Sequence, residues 1–264
     1  FSIDYVKRFN NDFDMSFKGT FTYAHNKVLE YDEPDFQKYP NISRVGHSVD
    51  QQLLYIAERL FIDDSEVQRN PKQNLGGWVS GGDIKYKNLP DVNGNYDNVI
   101  DSNDRQYTGM PTTPEIVYGF GPSFRYKKFD FSFFFQGAAR VSIMMNGIHP
   151  FGAEGTRNVL QFIADDYWSE TNQNIYAEYP RLSKRDNENN TKASTYWQRN
   201  GAFLKLKNLE VGFNHKFFRV YLRGSNLLTF SPFKYWDPEM GSGSGLSYPT
   251  QRVFNVGVQF SINK

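Results

Sequence analysis

The densest cluster of oxygen-bearing side chains in the chain is Asp91-Val92-Asn93-Gly94-Asn95-Tyr96-Asp97-Asn98-Val99-Ile100-Asp101-Ser102-Asn103-Asp104. Calcium takes roughly six to eight oxygens, and acidic or amide side chains at alternate positions of a tight turn supply them. Asp91, Asn93 and Asn95 (or Asp97) would begin such a shell and Asp101 or Asp104 would close it, giving a structural Ca2+ that stiffens a loop. Tyr96 stands near the place where a calcium loop wants glycine, and the spacing is too long. The other reading is an Asx-rich turn with no ion. Asp63-Asp64 and Asp165-Asp166 are neighbouring carboxylates. A glycosidase needs its pair facing across a cleft, so these read as solvated loop charge. His25, His47, His149 and His215 are scattered, without zinc spacing. Gly241-Ser242-Gly243-Ser244-Gly245 lacks the lysine of a phosphate loop and reads as a flexible loop tip. No catalytic constellation emerges, and an enzyme is not expected. The remaining candidates are loop aromatics: Trp168, Tyr176, Tyr179, Trp197, Tyr235 and Trp236. They could stack on sugars or touch peptide, or they could pack loops together or sit in an interfacial girdle. Tyr235 and Trp236 are the preferred pair because they follow Phe230 at the end of a strand; Trp168 and Trp197 come next.

The elements that would carry these residues are strands. In the last one Phe254, Val256, Val258, Phe260 and Ile262 alternate with Asn255, Gly257, Gln259 and Ser261, the period of two that gives a strand one apolar face. Phe129, Phe131, Phe133 and Phe135 alternate likewise with Asp130, Ser132 and Gln136, although Phe134 interrupts the polar face. Aromatic residues make up 17% of the chain, which suits an apolar exterior. The 264 residues suffice for one large domain or two small ones. Thirty basic and 29 acidic residues leave a net charge of +1, which argues against a nucleic-acid partner held by a basic field. With no cysteine, disulfides and thiolate metal sites are excluded. No apolar run of about 18 residues exists to form a transmembrane helix, but barrel strands alternate and escape that test. The chain starts at Phe1 without a signal peptide, so it looks cut from something longer.

Along the chain, strands are expected at 1–9 and 14–30, joined by a tight turn at Asn10-Asn11-Asp12. Residues 50–61 are apolar without clear period and fit helix or strand. Residues 62–114 form a long irregular excursion containing a short strand at 83–87. A hairpin then turns at Lys127-Lys128. A second excursion, 144–195, holds a short helix near 157–168. A strand at 196–213 changes apolar phase between Leu206 and Leu209, which predicts a bulge. A short turn near His215 leads to the strand ending at Phe230, a third loop covers 231–250, and the last strand covers 251–262. Short turns thus alternate with long loops, as in outer-membrane barrels. Placing all short turns on one side leaves none or two further crossings between 30 and 115, hence roughly seven or nine strands. An odd number cannot complete a bacterial-type barrel, so the chain is expected to be a piece of a larger one.

Several motifs then converge on a known family. Tyr196-Trp197-Gln198-Arg199-Asn200-Gly201-Ala202-Phe203-Leu204-Lys205-Leu206-Lys207-Asn208-Leu209 and Val220-Tyr221-Leu222-Arg223-Gly224-Ser225-Asn226-Leu227-Leu228-Thr229-Phe230 resemble the C-terminal region of SusC/RagA-type TonB-dependent outer-membrane transporters. Gly82-Asp83-Ile84-Lys85-Tyr86-Lys87, Tyr118-Gly119-Phe120, Phe134-Phe135-Gln136-Gly137, Tyr179-Pro180-Arg181-Leu182 and Asp237-Pro238-Glu239 follow the family order. The resemblance runs from about residue 14 to the end. It implies an all-β fold: an antiparallel transmembrane β-barrel segment, residues 1–264 forming the C-terminal seven to nine strands of a barrel of about 22 strands with long extracellular loops. The plug and N-terminal strands would lie outside it. It also implies a Gram-negative outer-membrane location, TonB-driven import of oligosaccharides or oligopeptides, and a SusD-like surface lipoprotein as partner. TonB would act through the missing N-terminal part, and the lipid bilayer, the rest of the barrel and the plug would complete the surroundings. Asn255, Gly257, Phe260 and Ile262 resemble the recognition signal of the barrel-assembly machinery. On the sheet, Asp130→Asn should be tolerated and Phe131→Lys should not. The competing readings are a complete small outer-membrane barrel with a structural or adhesive role, a soluble carbohydrate-binding β-domain, and a SusC-like barrel recruited as a non-transporting subunit of an envelope complex.

Overall fold

A computed structural model describes residues 1–150 and 158–261. Its main feature, among the described residues, is one antiparallel sheet of seven strands whose spatial order equals their chain order. They are β1 (Ser2–Arg8), β2 (Phe13–Tyr23), β3 (Ile116–Tyr126), β4 (Phe129–Ala139), β5 (Phe203–Asn214), β6 (Phe218–Phe230) and β7 (Val253–Phe260). No further strand joins the sheet between β2 and β3, so the lower of the two expected counts holds. The sheet is open: β1 pairs only with β2, and β7 only with β6. The connections β1–β2, β3–β4 and β5–β6 are tight and share one end. The β3–β4 turn is two residues long and puts Lys127 at φ 54°, the left-handed conformation such hairpins require. The long connections 24–115, 140–202 and 231–252 all leave from the opposite end. No helix among the described residues is long and apolar enough to cross a membrane.

Register places like residues on one face. Phe17 opposes Pro122, Phe124 opposes Phe131, Phe133 opposes Leu209, and Leu222 opposes Val256. Directly opposed residues share a face, so an apolar band crosses all seven strands. It is open to the surroundings; Phe254 is 73% exposed. β3 and β4 have 11 residues each, about 36 Å of strand at 3.3 Å per residue. At a tilt near 45° such a strand spans about 25 Å, the height of a membrane barrel's apolar band. The predicted bulge is present: pairing slips between Phe134 and Phe135 on β4 and between Leu206 and Asn208 on β5, leaving Lys207 as the extra residue. On β6 the same region puts Asn226 at φ 55°.

Several expected boundaries shift. β2 ends at Tyr23 rather than near residue 30. Residues 50–61 are two short strands, Gln52–Tyr55 and Ala57–Leu60. The stretch 196–213 is two strands in different sheets, because Gln198–Asn200 pairs with Ser142–Met144 while Phe203–Asn214 is β5. The short helix is Gln161–Asp165. The larger correction concerns the long connections, which are not irregular excursions. They fold together around a core that includes Leu54, Leu60, Ile84, Tyr86, Ile143 and Trp197, held by four small two-stranded sheets. The molecule therefore has a sheet and, at one end of it, a packed loop body.

Candidate functional site: the polar sheet face and the loop body

The second face of the sheet is polar and laced with charge. Arg125 on β3 pairs with Asp14 on β2. Arg219 on β6 reaches across β5 to Asp130 on β4 at 2.6 Å and also binds Glu210 at 2.5 Å, which in turn takes Arg223 at 2.7 Å. Gly212 lies beneath this bridge, and a Cβ there would strike both Asp130 and Arg219. Arg219 also lies over the Tyr221 ring, 4.9 Å from its centroid. On the same face, Phe134 covers Gly119 and Tyr221 covers Gly257, so each glycine is the space an aromatic ring fills. This accounts for Phe134 in an otherwise polar row. Single exposed ion pairs stabilise little, whereas charges linked into a network across three strands contribute more.

The β6–β7 connection is tied back to this face. Lys205 on β5 is fully buried, with its Nζ 2.6 Å from both Asp237 and Glu239. Lys207, the bulge residue, reaches Glu239 at 3.0 Å. Asp237 caps the short 3-10 turn Pro238–Met240 by accepting from the Glu239 N–H. Beside the tie, a cavity of ≈ 390 Å³ opens between the polar face and the loop body, with Gln136, Ser142, Phe203 and Glu239 in its wall.

Within the loop body the organising group is Asp83, fully buried. Its carboxylate forms an ion pair with Arg181, whose Nη2 donates at 3.0 Å, and accepts from the amides of Asn187 and Asn190 at 2.9 Å each and from the Ser80 N–H at 2.8 Å. Burial pushes its pKa up, opposed by the Arg181 guanidinium. The adjoining strand Ile84–Tyr86 is served by side chains. Asn190 accepts from the Ile84 N–H, Gln73 accepts from the Tyr86 N–H, and Gln73 and Asn189 both donate to the Ile84 carbonyl. Buried backbone groups need such partners. Gly82, at φ 81°, leaves room for the Trp168 ring. The family-like motifs around Asp83 and Arg181 are therefore one buried junction joining distant segments.

The sequence-derived candidates separate on this structure. Trp168 and Trp197 are core residues; Trp197 is 2% exposed, its indole N–H donates to the Asn190 carbonyl, and His149 and Tyr179 pack on it. Neither offers a face to a ligand, which corrects the expectation for them. Tyr235 and Trp236 are half-buried and lie together, with ring centroids 6.4 Å apart; Tyr235 donates to Glu178 and Trp236 to the Gly241 carbonyl. The Asp/Asn loop takes the Asx-turn form. Asp91 accepts from the N–H groups of Asn93 and Asn95, Asp97 from Val99, Asp101 from Asn103, and Asp104 from Leu89 and Asp101. Among the described residues no three His, Cys, Asp or Glu groups converge as a metal site, and the hydrogen bonds drawn by these carboxylates are those of Asx turns. Asn255, Gly257 and Phe260 lie on the free-edge strand β7, and Ile262 lies outside the described residues. Sequence reasoning missed Trp78, the most exposed of the four tryptophans at 56%. Its neighbours Gly76 and Gly77, both at positive φ, were the available sign of a loop tip.

The chain matches TonB-dependent receptor P3 of Formosa agariphila, 27% identical over 98% of this chain and 28% of the relative. The chain is thus similar to a TonB-dependent receptor along nearly its whole length. TonB-dependent receptor P26 of the same organism is 28% identical over 88% of this chain and 26% of that protein. The chain thus spans little more than a quarter of the receptors it matches. No family model matches it. Among solved structures, the RagAB peptide importer in its closed-closed state superposes with a TM-score of 0.66 at 19% identity, covering 98% of this chain and 28% of that one. The open-open state gives 0.66 at 18% identity over 99% and 28%. At that identity the likeness is one of fold: the seven-stranded sheet and its connections have the arrangement of part of that structure.

Proposed function

We propose that the chain is one wall of a TonB-dependent active transporter in a Gram-negative outer membrane, importing oligosaccharides or oligopeptides with a SusD-like lipoprotein over its mouth. In this reading residues 1–264 are the C-terminal part of the barrel domain, and the remaining strands and the plug belong to the rest of the receptor. The carrying observation is the two-faced sheet: one face apolar and uncovered across all seven strands, the other crossed by the Asp130–Arg219–Glu210 bridge. Lipid satisfies the first face, and a water-filled path satisfies the second. The segment's role is passive. It performs no bond chemistry; its strands close the wall, since lipid tolerates no open sheet edge, and its folded loops shape the mouth.

The test is accessibility in intact cells. In the full receptor, an epitope inserted in the 241–245 loop should label without lysis, and one at Lys127-Lys128 should label only after the outer membrane is opened. Equal labelling of both, or recovery of the protein in a soluble fraction, would overturn the reading. A receptor deletion strain should then lose growth on the imported nutrient class.

A further inference from the structure

We propose that Trp78 is the platform of a saccharide-binding subsite on the loop body; this rests on the transporter reading and assigns a substrate class to part of its mouth. Exposed tryptophan is rare unless it has a contact to make, and the other three here are buried or half-buried in packing. Trp78 differs in being held in place while left uncovered. The Arg181 guanidinium lies 4.2 Å from its ring centroid. Arg181 is itself fixed by Asp83, a carboxylate with no exposure. The ring is therefore positioned from beneath by a buried ion pair, and its order is set before any ligand arrives, which lowers the entropic cost of binding.

Beside the ring is a crevice of ≈ 350 Å³, with Phe61, Val67 and Val79 as apolar wall and Gln68, Asn70 and Lys72 as polar wall. That size lies within the range of small-ligand sites. The Gln68 amide, the Lys72 ammonium and the Trp78 indole N–H have no protein partner among the described residues. Asn70 uses its amide nitrogen on the Glu66 carbonyl at 2.6 Å and keeps its oxygen. A flat aromatic face flanked by free amide and ammonium donors matches a pyranose, whose C–H face stacks while its equatorial hydroxyls accept and donate at the edges. A docking protein would be met by a contiguous apolar patch, whereas the surroundings of Trp78 are a notch lined with hydrogen-bonding groups.

The experiment uses the full receptor complex in detergent, titrated by isothermal calorimetry with a panel of neutral, uronic-acid-containing and sulfated hexasaccharides. The subsite predicts that at least one panel member binds, that Trp78→Ala weakens it by about tenfold or more, and that Trp78→Tyr restores most of the loss. Gln68→Ala should weaken the same ligand about threefold. Heat-modifiable migration of Trp78→Ala should match wild type, so a binding loss is not an unfolding. The inference is overturned if no saccharide binds in a Trp78-dependent way, or if Trp78→Ala instead releases a partner protein or a peptide ligand while saccharide affinity is unchanged. Each of those results leaves the labelling test above intact, and so separates failure of the subsite from failure of the transporter reading.

Discussion

The sheet and the loop body draw on the same residue types and treat them in opposite ways. In the sheet, Phe131, Leu222 and Phe254 stand uncovered on one face, while Asp130, Arg219 and Glu210 meet on the other. In the loop body, Leu54, Ile84 and Trp197 are enclosed, and the polar groups among them, Gln73, Asn189 and Asp83, are matched by hydrogen bonds. The loop body obeys the rule for an aqueous solvent: apolar groups inside, buried polar groups paired. The sheet is inverted. On the transporter reading proposed above, the difference is that of one chain built for two solvents, with the boundary where the strands end and the long connections begin.

Perturbations should therefore act locally on one side or the other. The largest effect is expected from Asp83→Ala, which strands the Arg181 guanidinium and two asparagine amides inside the loop body. Breaking a buried pair from one side costs about 3–5 kcal/mol. Limited proteolysis should then cut within 62–114 and 158–200, while heat-modifiable migration of the sheet persists. Cooperative loss of both would erase the distinction between the two regions.

Next is Phe131→Lys, which places a charge on the apolar face and should cost about 2–4 kcal/mol of folding stability in bilayers, falling toward the rims. Asp130→Asn, on the neighbouring polar face, should cost about 1 kcal/mol. The structure sharpens the expectation of tolerance, because Asp130 holds Arg219 and Asn214. Urea titration of receptor refolded in vesicles measures both, and equal costs would contradict the face assignment.

A smaller effect is tied to pH. Hydrogen bonds from Arg59 hold the Glu66 carboxyl down at about 2, below its usual value of 4.5. A lowered folded-state pKa stabilises above the unfolded value and loses that contribution as pH falls through the folded one. The segment around Asp64–Arg69 should keep its protease resistance above pH 4.5 and lose it progressively between 4.5 and about 2. Glu66→Gln should be less resistant at neutral pH and flatter across this window. The smallest expected effect is that of calcium: millimolar Ca2+ or chelator should leave the protease pattern of 88–105 unchanged, since the carboxylates there already cap backbone N–H groups.

Much of the sheet was legible before folding. Alternation over Phe129–Phe135 and 254–260 named the strands and their faces, the phase slip between Leu206 and Leu209 named the bulge, and the spacing of short turns narrowed the strand count to seven or nine, of which the structure has seven. Period two is a local signal, fixed by backbone geometry alone. The loop body was not legible, because its order comes from contacts between residues far apart in sequence. Gln73 meets Asn189, and Asp83 meets Arg181, across about a hundred residues of chain. No local period marks such pairs. The same cause misplaced the loop tryptophans: whether a Trp is enclosed or exposed depends on what lies above it, which nothing flanking Trp197 states and which only Gly76 and Gly77 hint at beside Trp78.

The sequence by itself determined the strand pattern, the inverted face and the family likeness, since each is written in side-chain order along a single strand or in a series of short motifs. Tertiary structure alone decided that the long connections are a packed body, that Lys205 is buried between Asp237 and Glu239, and that Trp78 stays uncovered while Trp168 and Trp197 are enclosed. The physical reason is that burial is a property of the space between elements, and only the folded chain defines that space.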